Sequence, residues 1–155
     1  QTPEIVNQIR SNNFPITYMN LNNITETRRI YDDQNKIYIL ITQNSVNDND
    51  EIFNKTSNNP HDTSQIYIIS KGNINVPSSE NNLRGALITN SGINFNGGNL
   101  FLEQYAFPQA ALDYLTSHNI ITNAQPPAPP QSGVSVTITP SNSNIKVLSR
   151  HFIIK

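Results

Sequence analysis

IYIISKGNINV, residues 66–76, and GALITNSGINF, residues 85–95, align over all eleven positions without a gap, and a shorter relative, LITQNSVN, precedes them at Leu40–Asn47. The shared phrase is an aliphatic pair, a small hydroxyl residue, three turn-prone positions, a β-branched residue and an Asn. Its copies start at Leu40, Ile68 and Leu87, spacings of 28 and 19 residues (68−40 and 87−68). Spacings of this kind suit a strand unit reused with one enlarged loop better than a helix. Stacking the copies places Ile68 over Leu87, Ile74 over Ile93 and Asn75 over Asn94. Equivalent apolar positions then share a core, and the Asn side chains hydrogen-bond in a ladder along the stack. The expected fold class is mainly β, either a β-helix-like stack of short strands or a sandwich whose turns look alike.

Outside the repeat, Thr2-Pro3-Glu4 opens a short N-terminal helix with a hydroxyl cap, a first-turn Pro and an acid at the positive end of the dipole. Ile30-Tyr31, a turn at Asp32–Asn35 and the run Lys36–Thr42 (KIYILIT) read as strand, turn and strand, the last being the strongest in the chain. Asp48–Ser64 reads as a surface loop pinned by Ile52-Phe53, with Asn58-Asn59-Pro60 as its breaker. Asn96-Gly97-Gly98-Asn99 is a turn leading into Leu100–Tyr105. A helix is expected from Pro108 to about His118, with Ala111, Leu112 and Leu115 as its apolar stripe and Tyr114 beside it. Residues 123–132 (NAQPPAPPQS) form a stiff Pro-rich connector. Gly133–Thr139 and Ile145–Ile154 alternate apolar and polar residues, which reads as a C-terminal hairpin over 133–155. That hairpin either completes its own sheet or adds to a neighbouring subunit's.

The 155 residues are enough for a single domain spanning 1–155 with a real core. Charged residues make up 14% of the chain where about 25% is usual, and Asn alone supplies roughly a sixth of it. A formal net charge of −1, with Arg28-Arg29 as the one adjacent basic pair, argues against a nucleic-acid partner. There is no Cys, hence no disulfide framework and no thiolate chemistry. The longest apolar runs, such as Ile37–Ile41, fall far short of a bilayer span, so no membrane contact is expected of these residues. The chain starts at Gln1, and a leader or membrane anchor upstream is the natural expectation.

Catalysis is not expected. His61 lies beside Asp62 in the polar loop, but no Ser sits in a nucleophile elbow, and His118 and His151 stand far away in sequence. Asn47–Glu51 gathers the carboxylates Asp48, Asp50 and Glu51, a candidate part of a Ca2+ site that lacks the spacing of an EF-hand loop. No other cofactor is suggested. Asn23-Ile24-Thr25 and Asn54-Lys55-Thr56 have the form of glycosylation sequons. Tyr31 and Tyr105, with Tyr18, are candidates to stack on sugars if the chain binds glycans.

The run Leu83–Gly98 (LRGALITNSGINFNGG), continuing to Glu103-Gln104-Tyr105-Ala106-Phe107, resembles the β-helical rungs of pilus-associated, PilX-like and other bacterial surface proteins. The resemblance covers residues 65–107, and its ending is Glu103-Gln104-Tyr105 where that group has an aromatic-Tyr-Asp segment. It implies a bacterial extracellular or cell-surface protein. The function expected is a structural subunit or adhesive domain of a fibre, pilus or coat, partnered by copies of itself or by other surface subunits. A carbohydrate-binding, lectin-like module is the alternative.

Overall fold

A strand that is apolar on both of its faces has to lie between two other layers, and Ile37–Thr42 does so. The structure, a computed structural model, describes residues 18–57, 59, 61–80, 83–89, 91–95, 99–101, 108–122, 138–140 and 146–147. Its strands are β1 (Tyr18–Met19), β2 (Arg28–Asp32), β3 (Ile37–Thr42), β4 (Gln65–Ser70), β5 (Ile74–Val76), β6 (Leu83–Thr89), β7 (Ile93–Phe95), β8 (Asn99–Phe101), β9 (Ile121–Thr122), β10 (Ile138–Pro140) and β11 (Lys146–Val147). Among the described residues one α-helix, α1, spans Gln109–Ser117, and short 3-10 turns occupy Leu21–Asn23 and Glu51–Lys55.

The main sheet has the order β11-β8-β6-β4-β3-β2, and the second has the order β10-β7-β5. Apart from β2, which folds back antiparallel on β3, neighbours in both sheets are parallel. The register follows the repeated phrase: Leu40 pairs with Ile68 and Ile68 with Leu87, while Ile74 pairs with Ile93 and Asn75 with Asn94. Val46 makes an isolated parallel bridge to Ile74, so the shorter first copy joins the second sheet through one residue. From β3 to β8 the chain alternates between the sheets, each visit adding the next strand on the same side, and after α1 and β9, which pairs antiparallel with β1 in a separate two-stranded sheet, β10 and β11 take the next places. Ile74 and Ile93, which the β-helix-like alternative requires to be neighbours, share one sheet.

The side-chain period of 2 then sends alternate residues of β3, β4 and β6 into two cores. Ile39, Ile41, Tyr67, Ile69, Ala86 and Ile88 pack with Leu21, Ile24, Ala111, Leu115 and Ile120. Tyr38, Leu40, Ile66, Ile68 and Leu87 pack on the other side with Val46, Ile52, Phe53, Ile74, Val76 and Ile93. A sheet covered on both faces explains why KIYILIT is a nearly unbroken apolar run. Each fully buried Ile or Leu contributes about 1.5–3 kcal/mol, so these two clusters are the main source of stability. Ile52 and Phe53 do pin the Asp48–Ser64 loop, at 0% and 6% exposure.

Helix α1 lies where the sequence places it, with Ala111 and Leu115 buried and Leu112 and Tyr114 at the edge of the first core. It closes in a Schellman motif: Ile120 N–H donates to Leu115 O (2.8 Å), Asn119 N–H donates to Thr116 O (3.1 Å), and Asn119 takes φ +60°.

The C-terminal hairpin requires correction. β10 runs parallel to β7 and β11 parallel to β8, in two different sheets. Apolar alternation marks a half-buried strand without naming its partner, and the edges of β7 and β8 offer unpaired backbone groups that these segments satisfy. Thus 138–140 and 146–147 extend this chain's own sheets. The N-terminal helix, the 96–98 turn, the 123–132 connector and Tyr105 lie outside the described residues.

Candidate functional site

Where the chain turns from the main sheet to the second, the repeated polar positions come into register and make a corner built of side-chain ladders. The hydroxyl position holds Thr42, Ser70 and Thr89, all buried. Each hydroxyl accepts the backbone N–H two residues on: Asn44 N to Thr42 Oγ1 at 3.1 Å, Gly72 N to Ser70 Oγ at 2.9 Å and Ser91 N to Thr89 Oγ1 at 3.0 Å. Two of them also reach the preceding unit, Ser70 Oγ donating to Asn44 O (2.6 Å) and Thr89 Oγ1 donating to Gly72 O. Successive corners nest so closely that a Cβ on Gly72 would lie 2.4 Å from Ser45 Oγ.

The last position of the phrase, Asn47, Asn75 and Asn94, forms the outer column. Asn94 Nδ2 donates to Asn75 Oδ1 (2.7 Å), and Asn75 Nδ2 donates to Val46 O (3.1 Å). Beside this ladder lies a groove of about 260 Å3 lined by Asn47, Asp48, Asn75, Val76 and Asn94. Its amides present donors and acceptors at the strand spacing of about 4.8 Å, and Asp48 adds a carboxylate that only accepts. That is the chemistry of a surface that hydrogen-bonds an extended polar ligand.

The carboxylates read as a Ca2+ candidate are divided between two places. Asp48 borders the groove, whereas Asp50 receives Arg29 Nη1 and Nη2 in a fork of two 2.8 Å bonds and caps the 3-10 turn by accepting from Ile52 N (3.0 Å). The Arg29 guanidinium holds the Asp50 carboxyl below its ordinary pKa. Glu51 lies 3.5 Å from Arg29 Nε. Among the described residues no group of three or more His, Cys, Asp or Glu side chains converges as a metal site.

Tyr31, the glycan-stacking candidate, is occupied by its neighbours. Its hydroxyl accepts from Arg29 Nη1 (2.9 Å), its ring meets Tyr38 edge-on with centroids 5.6 Å apart, and Lys55 Nζ stands 4.9 Å from its centroid. Burial raises the phenol pKa. Asp62 spends its carboxylate on the loop, accepting from Ser57 N (2.6 Å), Ser64 N (3.0 Å) and Ser64 Oγ (2.8 Å), while His61 is exposed. Of the sequons, Asn23 donates its amide to Asn119 O (2.7 Å) and Asn54 is exposed.

Two features escaped the sequence. Glu80, in the turn after β5, is 5% exposed. A cluster also forms at the end of α1, where Tyr114 stacks on His118 (centroids 3.9 Å apart) and gives its hydroxyl to Glu26. Burial first, then Glu26, pushes the Tyr114 phenol up to about 12. Neither had a local signal, because 24 residues separate Thr56 from Glu80 and 88 separate Glu26 from Tyr114.

No protein-family model matches this chain, and none of the curated proteins matches it significantly. Among solved structures it is similar to the C-terminal domain of a tapirin from Caldicellulosiruptor hydrothermalis, with a TM-score of 0.53 and 40% sequence identity over 83% of the chain. The likeness takes in 32% of that structure's chain, so this chain spans about a third of the length of the structure it resembles. Among the described residues no helix is long and apolar enough to cross a membrane.

Proposed function

Starting from the likeness to the tapirin domain, we propose that this chain is a non-catalytic structural or adhesive module displayed outside the cell and folded as a β-helix-like stack. The observation that carries the proposal is the polar column at the corner, which repeats in register from unit to unit and is made of neutral amides, Asn94 hydrogen-bonded to Asn75. Neutral, regularly spaced donors and acceptors suit contact with a repetitive neutral surface better than recognition of a charged partner. The low charge of the chain agrees with this, and so does the resemblance of residues 65–107 to pilus-associated and other bacterial surface proteins.

The groove beside the column favours a second reading, a lectin-like module that takes glycans through Asn75, Asn94 and Asp48 rather than through Tyr31. One set of measurements tests both. Purified chain is applied to a glycan array and to insoluble polysaccharide particles, and its self-association is followed by analytical ultracentrifugation. Retention that drops at least about tenfold in an Asn75→Ala/Asn94→Ala variant with an unchanged circular dichroism spectrum supports the binding readings. Concentration-dependent assembly supports the subunit reading. A chain that stays monomeric and is retained by nothing contradicts both.

A further inference from the structure

Glu80 ends the turn after β5, where its N–H donates to Pro77 O (3.1 Å). Its side chain points back at the 3-10 turn of the Asp48–Ser64 loop. Both carboxyl oxygens stand on one hydroxyl, Thr56 Oγ1, at 2.7 and 2.8 Å, and that hydroxyl lies 3.4 Å from Phe53 O. The residue is 5% exposed and borders an open surface pocket of about 240 Å3 lined also by Phe53, Asn54, Thr56, Ser57 and Ser79. None of the ion pairs among the described residues includes it.

Counting hydrogens exposes a mismatch. An ionised carboxylate offers about four lone-pair sites, and the Thr56 hydroxyl has a single hydrogen to divide between two carboxyl oxygens and the Phe53 carbonyl. A buried charge served by one shared hydrogen is expensive to hold. A neutral acid removes the mismatch: Glu80 O–H donates to Thr56 Oγ1, and Thr56 is free to donate onward to Phe53 O. The surrounding charges push the same way. Burial is the largest influence and raises the carboxyl pKa, the Thr56 hydrogen bond offsets part of this, and Asp62 in the same loop raises it further, so the net direction is upward. Lys55 has its ammonium over the Tyr31 and Tyr38 rings, Glu51 faces Arg29, His61 is exposed, and Arg84 stands in β6.

We propose that Glu80 is held as the neutral carboxylic acid and that its contact with Thr56 is a proton-dependent latch, clamping the 3-10 turn that carries Ile52 and Phe53 onto the second core. A carboxyl that binds its proton more tightly when folded adds stability that is complete at low pH and is lost as pH rises through its folded value. The latch is therefore closed in acid and loosens toward alkaline pH, and the segment it frees is the loop around Phe53.

Hydrogen exchange at the amides of residues 52–56 tests this, measured between pH 5 and pH 8 and corrected for intrinsic rates. The corrected opening is expected to rise at least about tenfold across that range in the wild-type chain and to stay flat in Glu80→Gln, whose amide cannot ionise. A parallel 13C NMR titration of the wild-type Glu80 carboxyl should give a midpoint above the ordinary glutamate range, and it stands alone if Glu80→Gln does not fold. The same pH profile in both proteins, or a Glu80 midpoint in the ordinary range, overturns the proposal.

Discussion

Gly85 shows how one residue can be demanded by a neighbouring strand. At the first pair of the β4/β6 ladder, opposite Ile66, it takes φ +131°, and a Cβ there would lie 1.9 Å from Ile66 O. A side chain would be strained by its own backbone and would strike a carbonyl that cannot move without breaking the parallel ladder. Gly85→Ala is expected to cost about 3 kcal/mol or more, lowering Tm by roughly 10 °C in a chain of this size. A thermal melt followed by circular dichroism checks it, and a Tm within about 2 °C of wild type would show that the strands have room to part. The sequence shows Gly85 as one glycine among six. Its conformation and its clash belong to the pairing with Ile66, 19 residues away in sequence.

At the scale of the element, the strand units were legible because each is marked twice, by its apolar pair and by the hydroxyl that closes its corner. Residues 66–76 and 85–95 were read as repeated units, and β4 with β5 and β6 with β7 fall on them. Helix α1 was equally plain from its stripe and from Pro108. The element carries one correctable cost, Asn119, which holds the left-handed cap at φ +60°. Asn tolerates this region better than other side chains, and Gly better still. Asn119→Gly should raise stability by about 0.5 kcal/mol, since the bonds that depend on residue 119 use its backbone N–H and C=O. Denaturant titration would show this as a small rise in midpoint at constant slope, and a fall would mean that the Asn119 side chain itself stabilises the cap.

For the whole molecule, the decisive fact is that the chain visits two sheets in turn, adding parallel strands after β3, so each sheet grows by one strand per visit and the last strand added is its edge. β10 and β11 cover β7 and β8, and removing them uncovers those backbone groups. A chain ended after Gln125 is expected to keep its β-type circular dichroism, since the core residues among the described ones lie at or before Ile121, and to melt lower and associate more readily than the full chain. Loss of the β signal would place the C-terminal strands in the folding core, and unchanged melting and association would show that they cover nothing. What the sequence by itself determined is the repeat, its register and its amide column, because these follow from spacing and from which residue types can share a strand or a turn. The sequence left the partners open: alternation at 133–154 reads the same for a hairpin as for two strands added to different sheets. The burial of Glu80, the turning of Asp50 toward Arg29 and the demand for glycine at 85 were decided by the tertiary structure alone. Each depends on what a distant segment brings to within hydrogen-bond or van der Waals reach, and a local pattern carries no record of that.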